Sequence, residues 1–191
     1  MKYKLITNLL LALVAGFLST GCTATLQHGT IYTQPTADKG PIGVTTHAEN
    51  IHNHIGWGTL TVFAIPVVPV SLNGNGDTDL MLQIKDAVEQ AGFKAKLVEN
   101  ATAADGAPVL TCRVEKFGFR NYTWLFPFVF NWGTIQLNVA IADSGGKTLW
   151  KKTYTGKANG FYDFDTPVNN ALTTILNDLS SDLANLQLKS P

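Results

Sequence analysis

The sequence predicts an α+β domain, an antiparallel or mixed sheet of four to five strands with two helices packed on one face. Three observations carry that expectation. Segments 80–91 and 168–186 place apolar residues at three- and four-residue steps, the repeat of an amphipathic helix. Segments 109–115 and 134–143 alternate apolar with polar residues, the repeat of a strand with one buried face. No internal repeat and no second domain is visible in the 191 residues, so both helices must bury their stripes against the same sheet.

In chain order, residues 22–41 are rich in Thr, Gln, Gly and Pro, end in "QPTADKGP" and read as a flexible tether with a short early strand at "GTIYT". "PIGVTT" opens the folded part, 42–191, as a strand, and a polar segment rich in His and Asn follows. "LTVFAIPVVPVSL", Leu60 to Leu72, carries no charge, and Pro66 and Pro69 argue against a regular central strand. "NGNGDTD" is a turn. After it Leu80, Ile84, Ala87, Val88 and Ala91 share a helix face, with Asp77 or Thr78 to cap the start and Gly92 placed for a left-handed end. "FKAKLV" is a strand, "ATAADGAP" a loop, and "VLTCRVE" a strand with Leu110, Cys112 and Val114 inward. "TIQLNVAIAD" turns Ile135, Leu137, Val139 and Ile141 inward, "SGGK" is the hairpin turn, and "TLWKKTYTG" returns with Trp150 and Tyr154 on one face. The closing helix is capped by Thr166 with Pro167 as its first residue, and Val168, Leu172, Ile175, Leu179, Leu183 and Leu186 form its stripe.

Upstream of the domain, Met1-Lys2-Tyr3-Lys4 is a short basic region, and Leu5 to Leu18 is apolar apart from Thr7 and Asn8. That stretch falls short of the ~20 residues a spanning helix needs and suits an export signal. It ends "FLSTGC", which resembles the lipobox of bacterial lipoproteins, with Ser19 where the usual Leu stands and Leu18 one place earlier. The resemblance implies a signal peptide over 1–21, cleavage after Gly21, and acylation of Cys22 with diacylglycerol and a further chain such as palmitate. It also implies an outer-membrane location facing the periplasm, because Thr23 rather than Asp follows the cysteine. Cleavage would remove Lys2 and Lys4 from a chain with 14 basic and 14 acidic side chains, leaving a slightly acidic domain unsuited to nucleic acid. With Cys22 acylated, Cys112 has no partner for a disulfide, and its apolar strand face makes it an inert core residue. The mature segment, roughly 42–187, resembles periplasm-facing lipoproteins of the YajG type and, more loosely, auxiliary lipoproteins of envelope ABC transporters. The residues that carry this are "GVTT", "DLMLQIKDAVEQAGF", the "TIQLNVAIAD-SGGK-TLWKKTYTG" hairpin and "TPVNNALTTILNDLSSDLANL".

Catalytic signatures are missing: no phosphate-binding Gly-rich loop with its Lys, no nucleophile elbow and no CxxC. No cofactor is expected. "HAENIHNHIGW" offers His47, Glu49, His52 and His54 as weak candidate metal ligands, but their spacing fits no helical HExxH pattern and a solvated loop is the stronger reading. "NGNGDTD" starts like a calcium loop yet has Thr78 where Gly is needed and Ile84 where the bidentate Glu belongs. Asp163 and Asp165 are explained by the helix start they precede.

The feature left over is "WLFPFVFNW", nine uncharged residues with five aromatics. Trp124, Phe126, Phe128, Phe130 and Trp132, joined by Phe63 and Val67 of "LTVFAIPVVPVSL", are candidates for membrane or partner contact, against a third reading in which the two segments bury each other. The expected function is that of a non-enzymatic, lipid-anchored envelope protein that binds a protein partner or lipid in envelope maintenance. The alternative is an auxiliary subunit of a lipid or lipopolysaccharide transport system, in which Lys94, Lys96, Arg113 and Lys151 meet anionic head groups. A metal-dependent periplasmic enzyme is the weakest reading.

Overall fold

The computed structural model describes residues 22–33, 38–60, 65–100, 105–125, 128–161 and 165–188. Their elements run β1 (Cys22–Ala24), β2 (Pro41–Thr45), β3 (His54–Leu60), β4 (Ile65–Leu72), α1 (Gly76–Gln90), β5 (Lys94–Val98), β6 (Val109–Leu125), β7 (Phe128–Ala142), β8 (Thr148–Phe161) and α2 (Asp165–Asn185). The strands form one mixed sheet organised by β6, the longest of them. On one side β7 pairs with β6 antiparallel along its length, and β8 pairs with β7 in the same way. On the other side the chain runs parallel to β6 three times in succession: β2 pairs at Val109 and Leu110, Glu49 bridges to Arg113, and β3 pairs from Phe119 to Thr123. The sheet therefore forks, with β5 added outside β2 at one end, and β4 and then β1 outside β3 at the other.

The fold class matches the expectation in outline, but the described residues form a sheet of eight strands rather than four to five. The additional strands come from β1, from the His-rich segment (β3), and from the proline-containing one (β4). Pro66 and Pro69 are tolerated because β4 is an edge where they lie: β3 pairs with it throughout, while β1 reaches only Val70, Ser71 and Leu72. Register shifts at His54/Gly56 and Gly58/Thr59 absorb the irregularity.

Both helices lie on one face, α1 against β2 and β5, α2 against β7 and β8, and the two touch each other. The expected stripes are the ones buried, except that Leu186 lies just past the end of α2 and is only partly buried. Leu80, Ile84, Ala87 and Val88 on α1 and Val168, Leu172, Ile175, Leu176, Leu179 and Leu183 on α2 meet Leu110, Cys112, Ile135, Leu137, Val139 and Ile141 from the sheet in one core. Asn75 rather than Asp77 holds the N-cap position of α1, Asp77 and Asp79 occupy the first turn, and Gly92 takes the left-handed conformation foreseen, with φ of 98°. Helix α2 sits very close to the sheet. A Cβ on Gly133 would lie 2.4 Å from the Pro167 carbonyl oxygen, and one on Gly156 only 2.0 Å from that of Ala171.

The segment expected to be a tether lies against the domain in its described parts. Its backbone is read by side chains at four-residue multiples along α2: Asp165 accepts from the Thr25 amide, Asn169 from Gln27 and Asn177 from Tyr32. Asn169 and Asn177 also donate to the carbonyls of Thr25 and Thr30, so "GTIYT" spends its hydrogen bonds on the helix instead of forming a strand. Lys39 then closes the far end of α2, its Nζ donating to the Leu183, Ala184 and Leu186 carbonyls at 2.8, 2.5 and 2.8 Å.

Candidate functional site

The two uncharged segments come together as neighbouring hairpins. β3 runs parallel to β6 up to the pair Leu60–Thr123, so the β3–β4 and β6–β7 hairpins project from the same end of the sheet. Their connecting residues, 61–64 and 126–127, which include Phe63 and Phe126, lie outside the described residues. Val67, Trp124 and Phe128 belong to β4, β6 and β7, with side chains outside the described part. Phe130 and Trp132 are described, and both are exposed, at 37 % and 40 %. They stack at 6.4 Å, and Phe130 also meets Phe161 of β8 at 5.0 Å.

These rings lie on the open face, turned away from the helices. Side chains alternate along a strand, and Gly133, Gly156 and Gly160 face α2. Their neighbours Trp132, Thr134, Lys157, Asn159 and Phe161 must therefore face the other way. The pairings Thr134–Gly118, Trp132–Arg120 and Phe130–Tyr122 carry this face onto β6, and Arg120–Trp57 carries it onto β3. The result is a cleft of about 960 Å³ lined by Trp57, Lys116, Arg120, Tyr122, Trp132 and Lys157 among others, with no carboxylate among the described residues that line it. Lys116, Arg120 and Lys157 are exposed and take part in none of the ion pairs formed among the described residues. Trp57, 50 % exposed, is propped edge-on by His54 at 5.1 Å. Chemically the cleft combines anion-binding cations with flat apolar rings.

Beneath it the helix-facing side is sealed. Phe119 is buried, and Asn121 donates to Asn131 at 2.8 Å across the β6–β7 ladder. A sequence signal for the cleft exists: beyond Val114 the alternation continues as Lys116, Gly118, Arg120, Tyr122. It keeps the sequence phase of Leu110-Cys112-Val114 but falls on the opposite face, because a bulge lies between Val114 and Lys116.

The weak metal candidates are dispersed. His47 pairs with Asp77 at 2.7 Å, and that hydrogen bond is the main cause holding the Asp77 carboxyl below its ordinary range. Glu49 is the bridge residue to β6, His54 packs on Trp57, and His52 is exposed. Among the described residues no three His, Cys, Asp or Glu side chains converge. Of the cations named for head-group contact, Lys94 pairs with Asp38 and Arg113 with Glu115, while Lys96 and Lys151 are exposed.

A polar cluster ties β8 to α2: Tyr154 donates to Asp182 at 2.6 Å, and Lys152 pairs with the same oxygen. Burial acts to raise the Asp182 carboxyl, and the hydrogen bonds from Lys152 and Tyr154 outweigh it and hold it low. Cys112 is 1 % exposed, and burial first, then Glu49, pushes its thiol up to about 12. Native protein at neutral pH should therefore leave Cys112 unmodified by iodoacetamide over hours and take up one equivalent there in denaturant. Rapid native labelling at Cys112 would place it outside the core.

The sequence matches no protein-family model and no curated protein. In fold it resembles a protein of family DUF330 from Xanthomonas campestris, 14 % identical, with 85 % of this chain and 92 % of that chain covered at a TM-score of 0.53. At that identity the likeness shows the fold alone. Weaker likenesses include PelC, crystallised as a dodecamer, from Paraburkholderia phytofirmans (13 % identical, 83 % and 96 % covered, TM-score 0.47). Lipoprotein GNA1162 from Neisseria meningitidis is another (14 % identical, 76 % and 96 % covered, TM-score 0.38).

Proposed function

We infer that the protein is a non-enzymatic envelope lipoprotein, held at the outer membrane by acylated Cys22 and seated on the bilayer by the hairpin end of its sheet. The observation that carries this is a register. β1 runs parallel to β4 with Cys22 opposite Val70, and β4 runs away from the hairpin end, so the chain enters β1 from that end. Cys22 is then about five residues, roughly 17 Å at ~3.4 Å per residue, from the last described β3–β4 pair, Leu60–Ile65. An acyl chain on Cys22 and two uncharged hairpins projecting in one direction would meet the same membrane. Once the lipid holds the domain there, weak contacts by the hairpins are enough to orient it. No described helix is long and apolar enough to cross a membrane.

An auxiliary role in lipid or lipopolysaccharide transport is the second reading, favoured by the basic aromatic cleft beside the hairpins. The test common to both is acylation. The full chain expressed with an alkyne palmitate analogue should label and fractionate with outer membranes, and Cys22→Ser should lose both properties. Undiminished labelling of the variant would end the anchored reading.

A further inference from the structure

We propose that the open-face cleft seats the phosphate head group of an anionic phospholipid, its acyl chains lying over the aromatic rows toward the hairpin end. The proposal rests on the membrane-docked reading above. The open face is graded in rows across neighbouring strands, roughly 7 Å apart at two residues per step. Farthest from the hairpins stand Gly118, Thr134 and Lys157, with Lys116 one step behind. The next row is Trp57, Arg120, Trp132 and Asn159, and the one after it is Tyr122, Phe130 and Phe161. Beyond these rows the strands pass into the uncharged hairpins.

Positive charge thus gives way to aromatic rings, and the rings to an apolar end, in the order of a phospholipid from phosphate to tail. Lys116, Arg120 and Lys157 supply ammonium and guanidinium donors suited to phosphate oxygens, and no carboxylate among the described lining residues competes with the ligand. Gly118 leaves the floor open, since even an added Cβ would meet nothing nearer than 3.5 Å. Phe161 at 62 % exposure and Trp57 at 50 % are large rings with much of their surface uncovered, and such rings suit the water–lipid boundary. A free phosphate would engage only the first two rows and leave the aromatic one without a role. A phospholipid uses all of them.

The test uses the full chain extracted in a maltoside detergent, equilibrated with equal amounts of phosphatidylglycerol and phosphatidylethanolamine, and weighed with its bound lipid by native mass spectrometry. Phosphatidylglycerol should exceed phosphatidylethanolamine on the protein by on the order of tenfold or more, as three cations facing an anionic head group would give. The pair Lys116→Gln with Arg120→Gln should bring the ratio near one. Lys94→Gln with Lys151→Gln, the same charge change elsewhere, should leave it intact. If the cleft pair melts abnormally, Lys157→Gln alone should still lower the ratio several-fold. Three results would overturn the proposal: no enrichment on the native protein, equal enrichment on the cleft variant, or displacement of the lipid by inorganic phosphate alone. No enrichment on the native protein with Cys22 still labelled rejects the cleft and leaves the anchor. Enrichment without labelling rejects the anchor and leaves the cleft.

Discussion

Leu179→Ala should destabilise the domain by ~2–5 kcal/mol, the cost of truncating a buried leucine in a core that closes only partly around the gap. Leu179 is fully buried, midway along α2 and in the cluster that joins both helices to β6 and β7. Its stripe neighbours Ile175, Leu176 and Leu183 are also buried, so none of them can swing out to leave room for repacking without exposing itself. In a domain of this size each kcal/mol lowers Tm by roughly 2–4 °C. Thermal unfolding followed by circular dichroism should therefore drop by many degrees. An unchanged melt would mean that the stripe does not pack on the sheet.

Gly156→Val should be damaging for the opposite reason. The position has no space at all: a Cβ there would stand 2.0 Å from the Ala171 carbonyl oxygen and 3.1 Å from the Ile175 side chain. The obstacle is backbone, which cannot rotate away, so α2 would have to lift from β8. Lifting would open the close approach of α2 to Gly133 of β7 and pull apart the Tyr154–Asp182 hydrogen bond between β8 and α2. Overpacking costs about 1–3 kcal/mol where a core can adjust, and this site should lie at or above the upper end. Gly145→Val, in the β7–β8 turn and exposed, is the control and should melt near the native value. A normal melt for Gly156→Val would show that α2 rides higher on the sheet than these contacts describe.

The long periodic elements were legible in the sequence because a single physical rule decides each of them. Val168, Leu172, Ile175, Leu179 and Leu183 recur at helical spacing, and Ile135, Leu137, Val139 and Ile141 alternate, so one face of each had to be buried whatever it met. Gly92 was legible for a similar reason, since it stands at the end of an apolar stripe where the backbone turns left-handed. β3 and β4 were not legible. The two glycines of one, Gly56 and Gly58, and the two prolines of the other contradict strand formation locally, and only a partner strand and an unpaired edge make it admissible. The cleft was hidden by one residue. The bulge after Val114 exchanges inside for outside, so Lys116, Arg120 and Tyr122 reach the open face only if the ladder with β7 is known.

By itself the sequence determined which surfaces must be buried and that two uncharged segments had to be accounted for, because hydrophobic periodicity is local and written along the chain. Tertiary structure alone decided that those two segments are adjacent hairpins at the end from which Cys22 enters the sheet, and that three cations and three rows of side chains share the opposite face from the helices. The reason is that strand pairing joins residues as distant as Trp57 and Arg120 through backbone hydrogen bonds. Every residue other than proline carries the same backbone donor and acceptor, so which strands meet is set by the packing of the whole sheet.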